Sequence, residues 1–465
     1  MSDERPWAGR RLHFIGIGGA GMSGLATVAL ALGASVSGSD RADSPALERL
    51  RAAGAAVAVG HDAANVPAGD DVELVHSTAV PADNPERAAG RARGLAELHR
   101  ADLLGEITAL PGRRTIAVTG THGKTTTSSM VVHVLRACGL DPGYLVGGEV
   151  RSTGANAGWG RGPVVVVEAD ESDRSLLRLH PDVAVLTNAE LDHHSTYASR
   201  LDVEATFRAF LARASEAVVV WDRPQLVALA PGGAAVAHGG PSGQAAAELP
   251  VAVTAYDVPD PQLDPTGVRF DWRGHAVRLQ VPGAHNALNA AAALEAARAV
   301  GADPARAAAA LADFRGARRR FELLGTTPAG AAVYDDYAHH PTEVAATLAA
   351  ARTLRPRRLV VAFQPHLYSR TRELARGFGA ALAAADVIVV LDVYPARERA
   401  ADFPGVDGRL VAAAAADAAD GRPVAWMPDR AAAERWLART LRAGDLALVM
   451  GAGDIDALGR RLVAG

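Results

Sequence analysis

Cysteine is all but missing from this chain, with Cys138 the one example. A disulfide within the chain and a four-cysteine zinc site are excluded, and a reducing compartment, the cytoplasm, fits best. Lysine is as scarce: of 48 basic side chains, only Lys124 is not arginine. A sequence that uses guanidinium everywhere else has kept one ammonium, which predicts a position where a flexible point charge is needed. Aromatic residues make up 5%, and no apolar run approaches the roughly 18 residues of a membrane span. The start, Met1 to Trp7, lacks the basic and apolar regions of a signal peptide, so no membrane insertion is expected. An excess of positive charge is missing too. The 48 basic and 52 acidic side chains leave a net charge of −4, which offers no field for nucleic acid or anionic lipid.

What remains is an ordinary globular composition, 49% hydrophobic and 22% charged over 465 residues. At roughly 150 residues per domain this length predicts three domains. Three blocks repeat short β-branched runs, glycine turns and alanine-rich helical stretches, so the expected class is α/β with mostly parallel sheets. The break Ala109-Leu110-Pro111-Gly112 and the basic run Arg318-Arg319-Arg320 divide the chain into domains 1–108, 109–323 and 324–465. Residues 222–282, rich in Gly, Pro and polar side chains, predict small antiparallel strands and loops beside the second sheet.

The strongest motif is Gly120-Thr121-His122-Gly123-Lys124-Thr125-Thr126, between the predicted strand Thr115 to Thr119 and a predicted helix. Glycines turn the loop's amides onto phosphate oxygens, the helix N-terminus adds positive potential, Lys124 reaches the outer phosphates, and a threonine hydroxyl ligates magnesium. The motif therefore predicts a site for ATP or a similar nucleotide. The strand Val164 to Val167 runs into Glu168-Ala169-Asp170-Glu171-Ser172-Asp173. A carboxylate at the tip of a parallel strand lies in the ligand crevice, which makes Glu168 the expected Mg²⁺ ligand. Glu171 and Asp173 read instead as a solvated acidic loop, and Asp170 fits either role. The next strand, Val183 to Thr187, leads to His193 and His194 on the same edge, where one histidine can meet a second metal or the transferred phosphate.

Near the start, Gly16-Ile17-Gly18-Gly19-Ala20-Gly21 follows a strand, and Asp40 stands at the distance of a ribose-binding carboxylate. The pattern suits a dinucleotide, hence an NAD-dependent dehydrogenase, or equally the diphosphate of a UDP group. In the third block Asp335 to Glu343 and Phe363 to Arg370 each follow a strand with His, Tyr, Asp or Arg, which suits a small charged substrate.

Together these segments, with Pro282 to Asn286 and Arg319-Arg320-Phe321-Glu322, resemble the Mur ligase family over nearly the whole chain. The resemblance implies a Rossmann-like N-terminal domain, a central P-loop ATPase-type domain and a Rossmann-like C-terminal domain. It implies ATP-dependent, Mg²⁺-assisted joining of L-alanine to the lactyl carboxylate of UDP-N-acetylmuramate, with His122 and the Asp336 to Pro341 segment favouring alanine. By the same resemblance Gly18, Gly19, Ala20, Gly21, Met22, Ser23 and Asp40 would hold the UDP-sugar, displacing the NAD reading. Lys124 would bind ATP, with Thr125 and Glu168 on one Mg²⁺ and His193 on a second. Asn286 would meet adenine, and Arg319 or Arg320 would help place the nucleotide. Asp335 or Asp336, Tyr337, His339, His366 and Arg370 would form the amino-acid end. Two positions depart from the family pattern: Ser195 replaces a carboxylate and Leu367 an arginine. A recycling ligase that adds a tripeptide to the same sugar, and a non-catalytic nucleotide-controlled module, are the other readings.

Overall fold

The computed structural model describes residues 5–232 and 251–465, in which the strands form four sheets. The first sheet is parallel throughout, in the order β3-β2-β1-β4-β5. Its strands are β1 (Arg11–Ile15), β2 (Ser35–Asp40), β3 (Ala56–Val59), β4 (Val72–His76) and β5 (Ala96–His99). The helix Ala20–Ala31 follows β1, so the glycine turn opens at the carboxyl edge of the sheet, where the strand order reverses between β2 and β4.

The second sheet runs β12-β11-β10-β6-β9-β7-β8. It comprises β6 (Arg114–Thr119), β7 (Gly143–Val150), β8 (Ala155–Gly158), β9 (Val164–Glu168), β10 (Val183–Leu186), β11 (Ala217–Trp221) and β12 (Ala252–Tyr256). The four valines of β9 are all buried, as a strand covered by helices on both faces requires. In register, Val118 stands beside Glu168 and Thr119 beside Leu186, so the loops leaving β6, β9 and β10 emerge side by side. The helix Lys124–Ala137 packs on the alanine-rich helix Ala284–Ala299, whose small side chains let the two approach closely.

Two features differ from the sequence expectation. The antiparallel pair β7–β8 was not foreseen, because Gly147, Gly148 and Gly154 interrupt its alternation. Within 222–282, β12 extends the main sheet in parallel with β11, and only β13 (Gln262–Asp264), β14 (Gly267–Trp272) and β15 (His275–Leu279) form the separate antiparallel sheet. Residues 233–250 of that stretch lie outside the described residues.

The last sheet, β16-β17-β21-β18-β19-β20, is parallel except for β16. Its strands are β16 (Glu322–Thr326), β17 (Ala332–Asp336), β18 (Arg358–Phe363), β19 (Val387–Val390), β20 (Val424–Trp426) and β21 (Asp445–Met450). Strand β16 straddles the boundary read at residue 324. Just before it the chain turns sharply, with Arg319 and Phe321 at φ 59° and 50°. The first and second sheets share one apolar core in which Met22 and Leu25 join Leu145, Ala157 and Val167.

Candidate active site

The phosphate loop leaves β6 through two glycines with positive φ, Gly120 at 131° and Gly123 at 82°. At Gly120 a Cβ would run into the Thr187 hydroxyl and the Asn188 backbone. Lys124 opens the helix, and its ammonium folds back over the loop to donate to the carbonyls of Gly120 (2.6 Å) and Thr121 (3.1 Å). Its third partner is Glu171, 2.8 Å away. Burial works against the ammonium, but the carboxylates of Glu171, Asp170 and Glu168 outweigh it and raise the Lys124 pKa. This places the lone lysine of the sequence, charged, where outer phosphates would arrive.

Glu171 corrects the sequence reading: its side chain is 2% exposed, not solvated. Asp173 is also bound, by Arg100 at 2.9 Å, and the same guanidinium reaches Asp170 at 3.3 Å. A run of like charges along an acidic segment gives no sign of which carboxylates turn inward, since their partners lie elsewhere in the chain. Arg100, which reaches in from the N-terminal domain, carries no local signal that sets it apart from the chain's many other arginines.

Glu168 accepts from the Thr125 hydroxyl at 3.1 Å and from the Gly147 amide at 2.8 Å. Burial raises its pKa despite the pull of Lys124, which marks a carboxylate short of cationic partners. His193 sits in the left-handed region (φ 52°), and its Nε2 is 3.5 Å from Glu171. Its buried Nδ1 has no hydrogen-bond partner among the described residues. The Thr125 hydroxyl with the Glu168 carboxylate, and separately the His193 imidazole, offer donors that suit divalent cations.

Three cavities meet here. The first is lined by Asn286, Asn289, Tyr256, Phe314 and Thr126, a partly apolar slot of about 220 Å³. Asn286 lies there as expected for a base contact, although its amide already donates to Pro282 (2.7 Å) and its oxygen accepts from Asn289 (3.2 Å). The second, about 360 Å³, holds Lys124, Thr125, Glu168, His193, Tyr337 and His339, and Arg319 and Arg320 border it. Arg320 reaches both cavities, whereas Arg319 pairs with Asp335 at 3.1 Å. The third, about 350 Å³, opens at the amino-terminal turn between Gly19, Ala20, Gly21 and Met22 and the wall formed by Gly147 and Glu168. Asp170 borders both the second and the third.

Several expected contacts are taken up within the protein. Asp40 accepts from the Gly18 amide at 2.8 Å and so braces the glycine turn. Ser23 is buried and donates to Ala20. Asp336 accepts from the amides of Phe321 and Ala338. His366 stacks on Tyr394 and meets the His339 ring edge-on at 6.0 Å, one layer behind the second cavity, and burial drops its pKa to about 3. The Arg370 guanidinium is buried against Asp192 of the central domain, with bonds of 3.0 and 3.1 Å, and so joins two domains. Leu367, at φ 70°, is buried at the start of the same helix. Ser195 lies in the turn after His193.

Family models match three successive stretches: the Mur ligase family catalytic domain at 11–110, the middle domain at 118–297 and the glutamate ligase domain at 319–453. The chain belongs to the Mur ligase family. It is similar to a UDP-N-acetylmuramate–L-alanine ligase of Mycobacterium sp. (strain JLS), with 45% identity covering 98% of this chain and 95% of that protein. Among solved structures it matches a UDP-N-acetylmuramate-alanine ligase from Thermotoga maritima, at 28% identity, a TM-score of 0.79 and 98% coverage of both chains. A murein peptide ligase from Psychrobacter arcticus shares the fold, with a TM-score of 0.67 at 24% identity over 98% of both chains. This Mur ligase has no described helix long and apolar enough to cross a membrane.

Proposed function

We propose that the chain joins L-alanine to the lactyl carboxylate of UDP-N-acetylmuramate at the expense of ATP, in the cytoplasm, as a step of peptidoglycan synthesis. The observation that carries this reading is the series of three cavities with shared walls. Gly123, Arg320 and Glu343 border the first and second, and Gly147, Glu168 and Asp170 the second and third. A nucleotide with its base beside Asn286 would extend its phosphates past Lys124, while a sugar diphosphate on the Gly19–Met22 turn would direct its acid towards Glu168. The amino acid would enter beside Tyr337 and His339. The identity of 45% to an alanine ligase supports that choice of substrate. Domains 1–108, 109–323 and 324–465 would then serve the sugar, the nucleotide and the amino acid.

In the first step a carboxylate oxygen attacks the γ-phosphorus and ADP leaves, giving an acyl phosphate. Lys124 donates to the oxygens that gain charge, and the loop amides hold the β-phosphate in line. In the second step the neutral amine of alanine attacks the acyl carbon and inorganic phosphate departs. Thr125 and Glu168 would hold one Mg²⁺ and His193 a second, and such ions neutralise phosphate oxygens when bound. Lysine carbamylation cannot help here, since Lys124 is the one lysine. Arg370 and Asp192 hold the second and third domains together around the reactants and so exclude water from the acyl phosphate.

The test is phosphate release from Mg-ATP with UDP-N-acetylmuramate and L-alanine, omitting each in turn. Release that needs all three supports the reading. Release with an Ala-γ-Glu-diaminopimelate tripeptide but not with alanine overturns it in favour of a recycling ligase.

A further inference from the structure

Where the central and C-terminal domains face each other, two imidazoles and a carboxylate meet apart from Thr125, Glu168 and His193. His122 follows β6, Glu190 follows β10, and His340 caps the helix Pro341–Thr353 of the third domain. His122 Nε2 is 3.2 Å from Glu190 Oε2, and His340 Nδ1 is 3.6 Å from the same oxygen. One donor atom from each residue lies within 4.8 Å of the other two. A tetrahedral zinc-class ion, with bonds of about 2.0–2.1 Å, sets its donors about 3.3–3.4 Å apart. The two distances to Glu190 are therefore already close to the spacing such an ion imposes, and the two imidazole nitrogens lie within 4.8 Å of each other.

The surrounding contacts point the same way. Glu343 is 3.5 Å from His122 Nδ1, the ring nitrogen facing away from Glu190, where a carboxylate fixes the tautomer of a ligating imidazole and strengthens it. The Thr342 hydroxyl donates to Glu190 at 2.7 Å and holds that carboxylate in place. His122, Glu190 and Thr342 line the first cavity, so one side of the cluster is open to a water as fourth ligand. Both ring nitrogens of His122 face carboxylates, Nε2 that of Glu190 and Nδ1 that of Glu343, so an incoming ion takes the place of a proton between His122 and Glu190. It also replaces the long bond, 3.3 Å, that His340 Nδ1 accepts from the Thr342 amide.

We propose that His122, Glu190 and His340 form a binding site for a divalent transition metal of the zinc class, shared between the second and third domains. Two imidazoles and one carboxylate select such an ion over magnesium, which takes oxygen donors. Because the ligands come from two domains, the bound ion clamps them together beside the nucleotide cavity. Slowed turnover by micromolar zinc follows from this clamp and rests on the ligase reading; the binding itself does not.

The experiment titrates Zn²⁺ into the full chain in excess Mg²⁺ and follows binding by calorimetry. One equivalent should bind. His340→Asn keeps an oxygen to cap the helix and should weaken binding about tenfold or more, as should Glu190→Gln. Glu168→Gln should leave it unchanged. Zinc binding that ignores His340→Asn and Glu190→Gln, or that vanishes in Glu168→Gln, would place the ion at the other site and overturn the proposal, as would no binding. Co²⁺ on the unaltered chain gives a check that needs no variant: an intense visible band marks a four-coordinate imidazole site, and a weak octahedral spectrum counts against it. Zinc binding in a chain without ligase activity would sink the proposed function and leave this site standing.

Discussion

Replacing Arg370 by methionine tests whether domain closure depends on one buried ion pair. Arg370 Nε and Nη2 donate to the two oxygens of Asp192 at 3.0 and 3.1 Å, and each side chain is 4% exposed. Burial raises the Asp192 pKa, yet Arg370 and neighbouring His193 hold it far below the ordinary carboxylate range. Methionine keeps the length and loses the charge, which leaves a carboxylate buried without its partner at a cost of about 3–5 kcal/mol. Asp192 also borders the second cavity, where water can reach it, so the lower end applies. The pair links two domains, and the cost therefore falls on bringing them together more than on folding either. At about 1.4 kcal/mol per factor of ten, ~3 kcal/mol lowers kcat/KM for L-alanine by ~100-fold. Phosphate release at varied alanine measures this, with thermal unfolding as the check on folding. Asp192→Asn and the double variant complete a cycle whose coupling should reach about 2 kcal/mol. Effects that add within ~0.5 kcal/mol would refute the argument, because two independent side chains would give that result.

Lys124→Arg should reduce phosphate release by about 100-fold or more, since a planar guanidinium cannot fold back onto the carbonyls of Gly120 and Thr121; near-normal rates would show that the lone ammonium is not needed. Gly120→Ala puts a Cβ against Thr187 at φ 131°. It should abolish the thermal shift given by Mg-ATP while leaving the shift given by the UDP-sugar. Glu86 is fully buried, and although burial raises its pKa, hydrogen bonds from His13, Ser39 and Asn65 bring it from 4.5 to about 2. Its folded value lies below the unfolded one, so its contribution of about 3 kcal/mol is complete above pH ~4.5 and is lost as pH falls through about 2. Glu86→Gln should therefore cost much more stability at pH 7 than near pH 2, and urea unfolding that shows equal losses at both would contradict this.

The parts of the fold that the sequence revealed were those with a local cause. Four consecutive valines ending in Glu168 can only be a strand buried on both faces, and Gly-x-x-Gly-Lys-Thr after such a strand can only be a phosphate turn. The hairpin β7–β8 escaped because its glycines make room for side chains of the site: a Cβ at Gly147 would strike the Glu168 carboxylate and one at Gly148 the Thr125 side chain. Strand β12 escaped because, as a sheet edge, it is exposed or half-buried with only Tyr256 buried, and its partner β11 lies across a long connection. In the site, side chains that act within a few residues of one strand end were legible, among them Lys124, Thr125 and Glu168. Those whose role depends on a distant partner were not. Glu171 is defined by a lysine 47 positions away and Arg370 by an aspartate 178 positions away, and no local pattern encodes either pairing.

The wall shared by the second and third cavities has a consequence in time. An acid arriving along the amino-terminal turn faces Glu168 and Asp170, of which Asp170 is paired with Arg100 while Glu168 makes no salt bridge among the described residues. Two negative charges about 4 Å apart repel by roughly 1–4 kcal/mol between bulk water and a protein surface, enough to keep the acid out while that wall is bare. A nucleotide entering with its counter-cation cancels the charge and removes the obstacle. The substrates should thus load in sequence, nucleotide before sugar acid, with the order written in the placing of two carboxylates and enforced by no moving part.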